Sequence, residues 1–231
     1  MVSRFFVLLL LTGVGAIFVS LMFGYVPDNA LNLTARYYAE NTVRDTGAAN
    51  IVAAIVVTFR GLDTLGEVTV LFLTAAIVGL VLAGSQQGRL RREQPAPGEL
   101  LVTGTRLLVP LTLLLGVYVF ANGHLTPGGG FQGGAILASA ILMLLLADPL
   151  REFSHRLISA IESISGLVFV AIGLLGMIHA GGFLDNRILP LGTLGDLISA
   201  GAIPVIYSFI GLKVGAEFSS MMVNLSETEE P

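Results

Sequence analysis

The feature that most constrains this chain is a series of apolar runs long enough to cross a lipid bilayer. A helix needs about 20 apolar residues to span the hydrocarbon core. The runs that approach or exceed this length are Phe5–Gly24, Thr64–Gly84, Gly104–Ala121, Gly134–Ala147, Leu157–Ala180 and Leu197–Met222. They predict an all-α fold, a polytopic integral membrane protein with about six transmembrane helices.

Composition supports the same fold class and narrows the range of functions. Charged residues make up only 12% of the chain, whereas a soluble domain carries about 25%. The net charge is −4 and no basic patch is visible, so nucleic acid is not expected as a partner. The chain contains no cysteine, which excludes disulfides, thiolate metal sites and iron–sulfur clusters bound by this chain.

A shorter apolar stretch, Ala48–Phe59, leaves the number of spans open between six and seven. It has about a dozen residues and ends at Arg60, a length that suits a re-entrant or interfacial segment better than a span. The fourth long run is also short, and it reaches full length only if its helix begins inside a glycine run, at Phe131.

Charge placement predicts how the chain is oriented and divided. Arg89, Arg91 and Arg92 lie in the linker 85–103, which the positive-inside rule places in the cytoplasm. Six spans then place both termini in the cytoplasm as well. The linker separates a two-helix membrane domain (1–84) from a four-helix membrane domain (104–222), and an acidic tail (223–231) follows.

One stretch places three charges at the start of an apolar helix. Asp63 and Glu67 are four residues apart, so they share one face of the helix that continues through Val68–Leu82. Arg60, one turn before Asp63, can pair with it. Carboxylates in a membrane helix are unfavourable and usually face a cavity, a partner charge or an ion path. The alternative is that all three lie at headgroup level and cap the helix.

A second charged pair, Lys213 and Glu217, lies four residues apart in the apolar run Ile210–Met222. Between packed helices such a pair could relay a proton or hold a neighbouring subunit by charge. The alternative is a pair that snorkels to the cytoplasmic end of the last helix.

A glycine-rich segment, Gly123-His-Leu-Thr-Pro-Gly-Gly-Gly-Phe-Gln-Gly-Gly134, joins the third and fourth predicted helices. Its backbone needs either positive φ or close approach to another chain, and the alternative is a tight turn that only packs. Its histidine is expected to titrate near neutrality, and no ligand spacing indicates a metal site. A formal match to a dinucleotide-binding motif is rejected because no strand precedes it. The residues singled out are His124, Pro127, Gly128, Gly129, Gly130, Phe131, Gly133 and Gly134.

These motifs resemble two known families. The glycine-rich segment looks like the signature of the MnhB/MrpB-type subunit of multisubunit sodium/proton antiporters, and Pro204–Ser220 resembles the last helix of that family. The resemblance covers about Gly98–Ser220. Separately, Asn50–Leu82 resembles the MbhE-type domain, which is similar to the C-terminus of the large antiporter subunit and is a separate subunit in membrane-bound hydrogenases. The presence of both resemblances in one chain indicates a fused subunit.

The resemblance implies a multi-pass subunit in the cell membrane, embedded in lipid and dependent on other membrane subunits of its complex. It implies a monovalent cation/proton antiporter, distantly related to the membrane arm of respiratory complex I, that transports Na⁺ and H⁺ with no cofactor in this chain. The alternative is an ion-translocating subunit of an energy-converting hydrogenase or related ferredoxin-linked complex. The residues predicted for the ion path or coupling are Glu67, Asp63, Arg60, Lys213, Glu217 and His124.

Overall fold

The computed structural model describes residues 2–25, 30–85, 97–149 and 151–229, and within these ranges it contains helices and no strand. A π-helical turn, Ile55–Phe59, precedes the fourth helix, and a 3₁₀ turn, Asn186–Ile188, precedes the last. The α-helices are α1 (Val2–Gly24), α2 (Leu33–Thr46), α3 (Ile51–Ala54), α4 (Gly61–Ser85), α5 (Glu99–Ala121), α6 (Gly130–Ala147), α7 (His155–His179) and α8 (Ile203–Glu229). The predicted all-α fold is confirmed.

The residues up to Tyr37 form a compact unit of their own, in which α1 is the long helix. Leucine, valine, phenylalanine and isoleucine occupy most positions of α1, and its side chains are exposed from Arg4 onward. A helix that is apolar all round belongs in lipid or against other apolar helices. α1 is therefore a membrane span, as predicted.

The second unit begins at Tyr38 and is arranged around α8. Helices α4, α5, α6 and α7 all pack against α8, and α5 also packs closely against α6. Ile206 and Ile210 of α8 are almost completely buried and belong to one apolar core with Phe169 of α7 and Val57 of the π-helical turn. α8 is thus surrounded by protein over most of its surface.

The short stretch Ala48–Phe59 contains a short helix with one buried and one exposed side. The side chain of Asn50 caps α3 by accepting hydrogen bonds from two amides of its first turn. Ala53, Ala54 and Val57 are fully buried. This helix meets α2 at an angle of 85°, the geometry of a broken span or a re-entrant loop. It is too short to cross a bilayer alone.

Within the described residues, α1, α4, α5, α6 and α7 are long and apolar enough to cross a membrane, and the bent pair of α2 with Ile51–Phe59 would make a sixth span. This number agrees with the prediction of about six, but the set differs. The sixth candidate is the bent pair, which was not predicted as a span, and the predicted span Leu197–Met222 is not apolar enough to be counted among these helices. α6 begins at Gly130, inside the glycine run, as its length requires. The linker arginines Arg89, Arg91 and Arg92 lie outside the described residues.

α8 differs from the predicted last span at both ends. It begins at Ile203 and not at Leu197, because a turn with Gly201 at φ +59° precedes it. It continues to Glu229, so most of the predicted acidic tail is helical. α8 is also less apolar than the other long helices. Because those helices surround it, its polar residues do not need to face lipid.

Candidate functional site

The charged start of α4 follows from the π-helical turn. The amide of Arg60 donates to the carbonyl of Ile55 (2.8 Å), which closes the wide turn. The hydroxyl of Thr64 donates to the carbonyl of Val56 (2.6 Å) and ties α4 back to the turn. A new helix then starts after Arg60, with Asp63 in its first turn. π-helical turns inside helices are frequent at functional sites.

Arg60 and Asp63 form an ion pair, as their spacing predicts, and their side chains are 62% and 52% exposed. Glu67 lies one turn further along the same face and is also exposed. No ion-pair partner for Glu67 is present in the part of the chain that the structure describes. The α4 face therefore presents one neutralised carboxylate and one without a counter-charge.

Glu67 lies near the start of α4. Gly61, the first residue of α4, lies against the side chain of Leu184, which follows the end of α7. Glu67 is six residues further on, about 9 Å along the helix axis, inside the apolar segment Gly61–Leu82 that is long enough to cross a membrane. The ion-path and capping interpretations of Glu67 therefore both remain predictions.

Lys213 and Glu217 form an enclosed ion pair on α8. The Lys213 ammonium lies 2.7 Å from Oε1 of Glu217, and the two side chains are 10% and 0% exposed. The ammonium also lies 5.0 Å from the centre of the Phe72 ring, a cation–π contact with α4. The snorkelling alternative is wrong, because α8 continues well beyond Glu217 and packed helices enclose the pair.

Glu162 of α7 belongs to this charged group and was missed by the sequence analysis. It lines a cavity of about 330 Å³ together with Lys213 and Phe72, and Lys213 in turn pairs with Glu217. The sequence did contain a signal for it, since Glu162 lies within the predicted span Leu157–Ala180. A carboxylate inside a membrane span is energetically unfavourable and usually has a functional role.

The glycine-rich segment serves close packing between helices of this chain. A Cβ on Gly133 would lie 2.7 Å from the carbonyl oxygen of Gly116 in α5, and one on Gly134 would lie 2.7 Å from that of Gly211 in α8. None of the glycines from Gly128 to Gly134 has the positive φ that was one of the two predicted requirements. Close approach was the correct requirement, but the partners are α5 and α8 of the same chain.

His124 is completely buried in the turn between α5 and α6. Its Nε2 lies 3.4 Å from the carbonyl oxygen of Asp196, and its Nδ1 is buried without a hydrogen-bond partner among the described residues. Burial lowers the pKa of His124 below the usual value for histidine. The expected titration near neutrality is therefore corrected to titration at a lower pH.

Two asparagines that the sequence analysis missed hold the end of the bundle together. The side chain of Asn50 donates to the carbonyls of Gly123 (2.8 Å) and Thr126 (3.0 Å). The buried side chain of Asn186 donates to the carbonyls of Thr46 (2.7 Å) and Ala200 (2.9 Å). These bonds join the α2–α3 segment to the glycine-rich turn and to the loop before α8.

The predicted site residues therefore form separate groups. The groups are the α4 face with Asp63 and Glu67, the enclosed pair Lys213–Glu217, and the buried His124. No hydrogen bond or ion pair between these groups is found in the described ranges. No cluster of three or more histidine, aspartate and glutamate side chains in the same ranges is placed to hold a metal ion.

Family models match nearly the whole chain. A model described as a domain related to the MnhB subunit of the Na⁺/H⁺ antiporter matches residues 100–220, and the model named MbhE, for a subunit of MBH, matches residues 3–103. An uncharacterized protein of Methanocaldococcus jannaschii is 32% identical over 204 residues, which are 77% of this chain and 77% of that protein.

Two solved structures are similar to the chain over 97% of its length. One is a chain of the membrane-bound sulfane sulfur reductase, an archaeal respiratory membrane complex, with a TM-score of 0.81 and 37% identity, and 98% of that chain is covered. The other is a chain of the Mrp complex from Dietzia sp. DQ12-45-1b, with a TM-score of 0.78 and 29% identity, and only 26% of that longer chain is covered.

Proposed function

This chain belongs to the family of domains related to the MnhB subunit of Na⁺/H⁺ antiporters, and we propose that it is a membrane subunit of a multisubunit cation/proton antiporter that exchanges Na⁺ for H⁺. In this role α4 supplies a carboxylate to the ion path, and the remaining helices hold the subunit in the complex. The chain acts together with other membrane subunits and has no separate reaction of its own.

The observation that carries the proposal is the setting of Glu67. Its side chain is exposed on this chain, lies within the apolar segment Gly61–Leu82 that is long enough to cross a membrane, and has no ion-pair partner in the described ranges. A lone carboxylate in that position is unfavourable in lipid by a few kcal/mol and therefore belongs against a hydrated path or another subunit. Asp63, in contrast, is already neutralised by Arg60.

The proposal is tested by Glu67→Gln in the intact complex. The substitution keeps the size of the side chain and removes its charge. We expect a normal amount of complex in the membrane and at least about a tenfold loss of Na⁺-dependent proton exchange in everted vesicles, the range of a lost group that acts in the transport step itself.

Asp63→Asn is the matched control on the same face, and it should reduce exchange less because Arg60 already offsets this charge. If Glu67→Gln vesicles hold normal complex and exchange Na⁺ at the wild-type rate, Glu67 does not serve the ion path.

A second candidate function is supported by the similarity to a respiratory membrane complex. The chain is 37% identical to a chain of the sulfane sulfur reductase complex, with a TM-score of 0.81, and 29% identical to the Mrp chain, with a TM-score of 0.78. This similarity supports an assembly in which the same helices translocate ions in response to electron transfer. Affinity purification of the whole complex and identification of its subunits decide between the two, since nickel, iron or flavin in the complex would indicate a redox-driven assembly.

Both termini are proposed to lie in the cytoplasm. The bonds of Asn50 to Gly123 and Thr126 bring the α2–α3 junction and the α5–α6 turn to one end of the bundle. An ion pair between His155 and Glu227 (2.6 Å) brings the start of α7 and the end of α8 together. This arrangement agrees with two crossings between the joined segments, by α4 and α5 in the first case and by α7 and α8 in the second. It therefore counts α8 as the sixth crossing and treats the bent pair of α2 with Ile51–Phe59 as a re-entrant loop.

Single cysteines in this cysteine-free chain test the orientation. An impermeant thiol reagent added to intact cells should label Thr126→Cys and leave Ser226→Cys unlabelled until the cells are opened. Labelling of Ser226→Cys in intact cells would reverse the proposed orientation.

A further inference from the structure

We propose that Glu162, Lys213 and Glu217 form a second monovalent-cation site, laterally open between α4 and α7, in which Glu162 binds Na⁺ or a proton in competition and Lys213 is a tethered cation. The inference rests on the proposed function for the identity of the transported ions. The site itself is argued from the charges, the cavity and the packing around them.

Charge balance is the first step of the argument. Two carboxylates, Glu162 and Glu217, share one ammonium, that of Lys213, so the group lacks one positive charge. In the observed arrangement the ammonium is held by Glu217 at 2.7 Å. No ion pair to Glu162 is found within the described residues. The missing positive charge therefore belongs beside Glu162.

The cavity supplies access and room. Its volume is about 330 Å³, and its lining includes Glu162, Ser163 and Lys213 among apolar side chains of α4 and α7. A cavity of this volume is large enough for a cation that keeps several waters, since one water needs about 30 Å³. Ser163, which is exposed, also lines the cavity and offers a neutral hydroxyl oxygen there.

Lys213 is placed to move between the two carboxylates. Its side chain crosses α7 at Gly166, where a Cβ would lie 3.6 Å from the Lys213 Cδ, Cε and Nζ atoms. Glu162 is four residues before Gly166 on the same face, about 6 Å along the axis. Gly166 thus leaves space for a long, flexible side chain, and a rotation of Lys213 directs its ammonium towards Glu162.

The charge stays balanced in that rotation. When the ammonium leaves Glu217 for Glu162, the Na⁺ or proton on Glu162 is released into the cavity. Glu217, whose Oε2 is buried without a hydrogen-bond partner in the described part of the chain, then takes up one proton. One positive charge leaves the site and one enters it, so a buried carboxylate is never left without compensation.

Other charges around the site are remote or exposed. α6 contains no ionisable residue. On α5, Glu99 and Arg106 are exposed, and on α4 Asp63 and Glu67 are exposed on the face that carries the ion pair with Arg60. His155 of α7 and Glu227 of α8 pair with each other at the ends of these helices and are partly exposed. Away from the helix ends, the charges of Glu162, Lys213 and Glu217 are the ones that lie together where α4, α7 and α8 pack.

The test uses the intact purified complex and an apolar carbodiimide, which reacts with protonated carboxyl groups, followed by mass spectrometry of this chain. We expect modification at Glu162 and protection by Na⁺. At a Na⁺ concentration ten times the dissociation constant, mass action reduces the modification rate about tenfold. Choline at the same ionic strength should not protect. If Glu162 is not modified, the proposal is wrong; this would be the result if a basic side chain of another subunit filled the cavity. Modification of Glu162 at a rate that Na⁺ does not change would also contradict the proposal.

A transport measurement separates this proposal from the first one. Glu162→Gln should raise the Na⁺ concentration for half-maximal exchange at least about tenfold at normal complex abundance, while Ser163→Ala, on the same helix and cavity, should shift it less than about threefold. If Glu67→Gln abolishes exchange and Glu162→Gln leaves its Na⁺ dependence unchanged, this inference fails alone. If Na⁺ protects Glu162 from the carbodiimide but the complex shows no exchange activity, the antiporter function is wrong and the cation site at Glu162 still stands.

Discussion

Helices α4 and α8 carry similar charge patterns in opposite surroundings. On α4, Asp63 pairs with Arg60 on a surface that is more than half exposed. On α8, Glu217 pairs with Lys213 at exposures of 0% and 10%. Spacing brings the charges of each pair together, but packing of neighbouring helices decides whether the pair is enclosed. The α8 charges are therefore tied to the stability of this chain, and the α4 charges are left for contacts with other subunits.

The largest effect on assembly is expected when the enclosed counter-charge of Glu217 is removed. Lys213→Met keeps an unbranched side chain but leaves Glu217 buried without its ammonium, which typically destabilises by about 3–5 kcal/mol. We expect the subunit to be largely lost from the membrane complex. The measurement is the amount of tagged subunit that co-purifies with its partners.

A double variant sharpens this test. Lys213→Met combined with Glu217→Leu removes both charges and retains volume, so assembly should recover to a large extent. Transport should not recover. Wild-type amounts of complex with Lys213→Met alone would show that the pair contributes little to the stability of α8.

The sequence alone was sufficient to predict the long apolar helices and the ion pairs between residues three or four positions apart. Runs such as Phe5–Gly24 follow from length and hydropathy, and the pairs Arg60–Asp63 and Lys213–Glu217 follow from helical spacing. These features are local, so one helix at a time determines them. The glycine-rich segment was correctly recognised as a site of close approach, although its partners in space were not.

Features that depend on distant segments were not predictable. Glu162 joins Lys213 only because α7 packs against α8, and Asn50 meets Gly123 across 73 positions in sequence. The start of α8 at Ile203 depends on the conformation of the preceding turn, which hydropathy does not report. Periodicity identifies the faces of helices, but it does not identify which faces meet.

The second prediction concerns the bonds that join the α2–α3 segment to the glycine-rich turn. Asn50→Ala removes the donors to the carbonyls of Gly123 and Thr126 and the cap of α3. Each buried carbonyl left without a partner costs about 1–3 kcal/mol. We expect the unfolding temperature of the complex to be clearly lower. It can be measured by introducing Val57→Cys into the wild type and the variant, because a thiol-reactive dye reaches this buried position only when the chain unfolds.

Asn50→Asp is the matched variant, because it keeps the capping oxygen but has no N–H to donate. It should remain destabilised. Full recovery with Asn50→Asp would mean that the cap matters and that the bonds to the glycine-rich turn do not.

The third prediction uses an ion pair in the loop before α8. Nε of Arg187 donates to Asp185 at 2.9 Å. Burial of Asp185 raises its pKa, but the hydrogen bonds and charge of Arg187 together outweigh burial and hold the pKa below the usual 3.8. The pair therefore makes its full contribution to stability at pH values above the ordinary pKa of aspartate. This contribution is lost as the pH falls through the lowered pKa that Asp185 has in the folded chain.

Asp185→Asn removes the charge and keeps an oxygen for the amide of Arg187, which Asp185 accepts at 3.0 Å. We expect a loss of about 1–2 kcal/mol at pH 7, the range of a charge-assisted hydrogen bond. The difference in unfolding temperature between wild type and variant should shrink below about pH 4, near the ordinary pKa of aspartate. A difference that is constant down to pH 3 would contradict the assigned cause.

The smallest effect on stability is expected at the exposed pair of α4, which completes the comparison with Lys213→Met. Arg60→Gln leaves Asp63 without its partner, but exposed pairs contribute only about 0–1 kcal/mol. The complex should therefore assemble at wild-type abundance in the assay in which Lys213→Met fails. Exchange should change more than stability does, because Asp63 then presents an uncompensated charge next to Glu67. If Arg60→Gln instead reduces assembly as strongly as Lys213→Met, the pair is enclosed by a partner subunit in the complex, and the contrast between α4 and α8 is a property of the isolated chain alone.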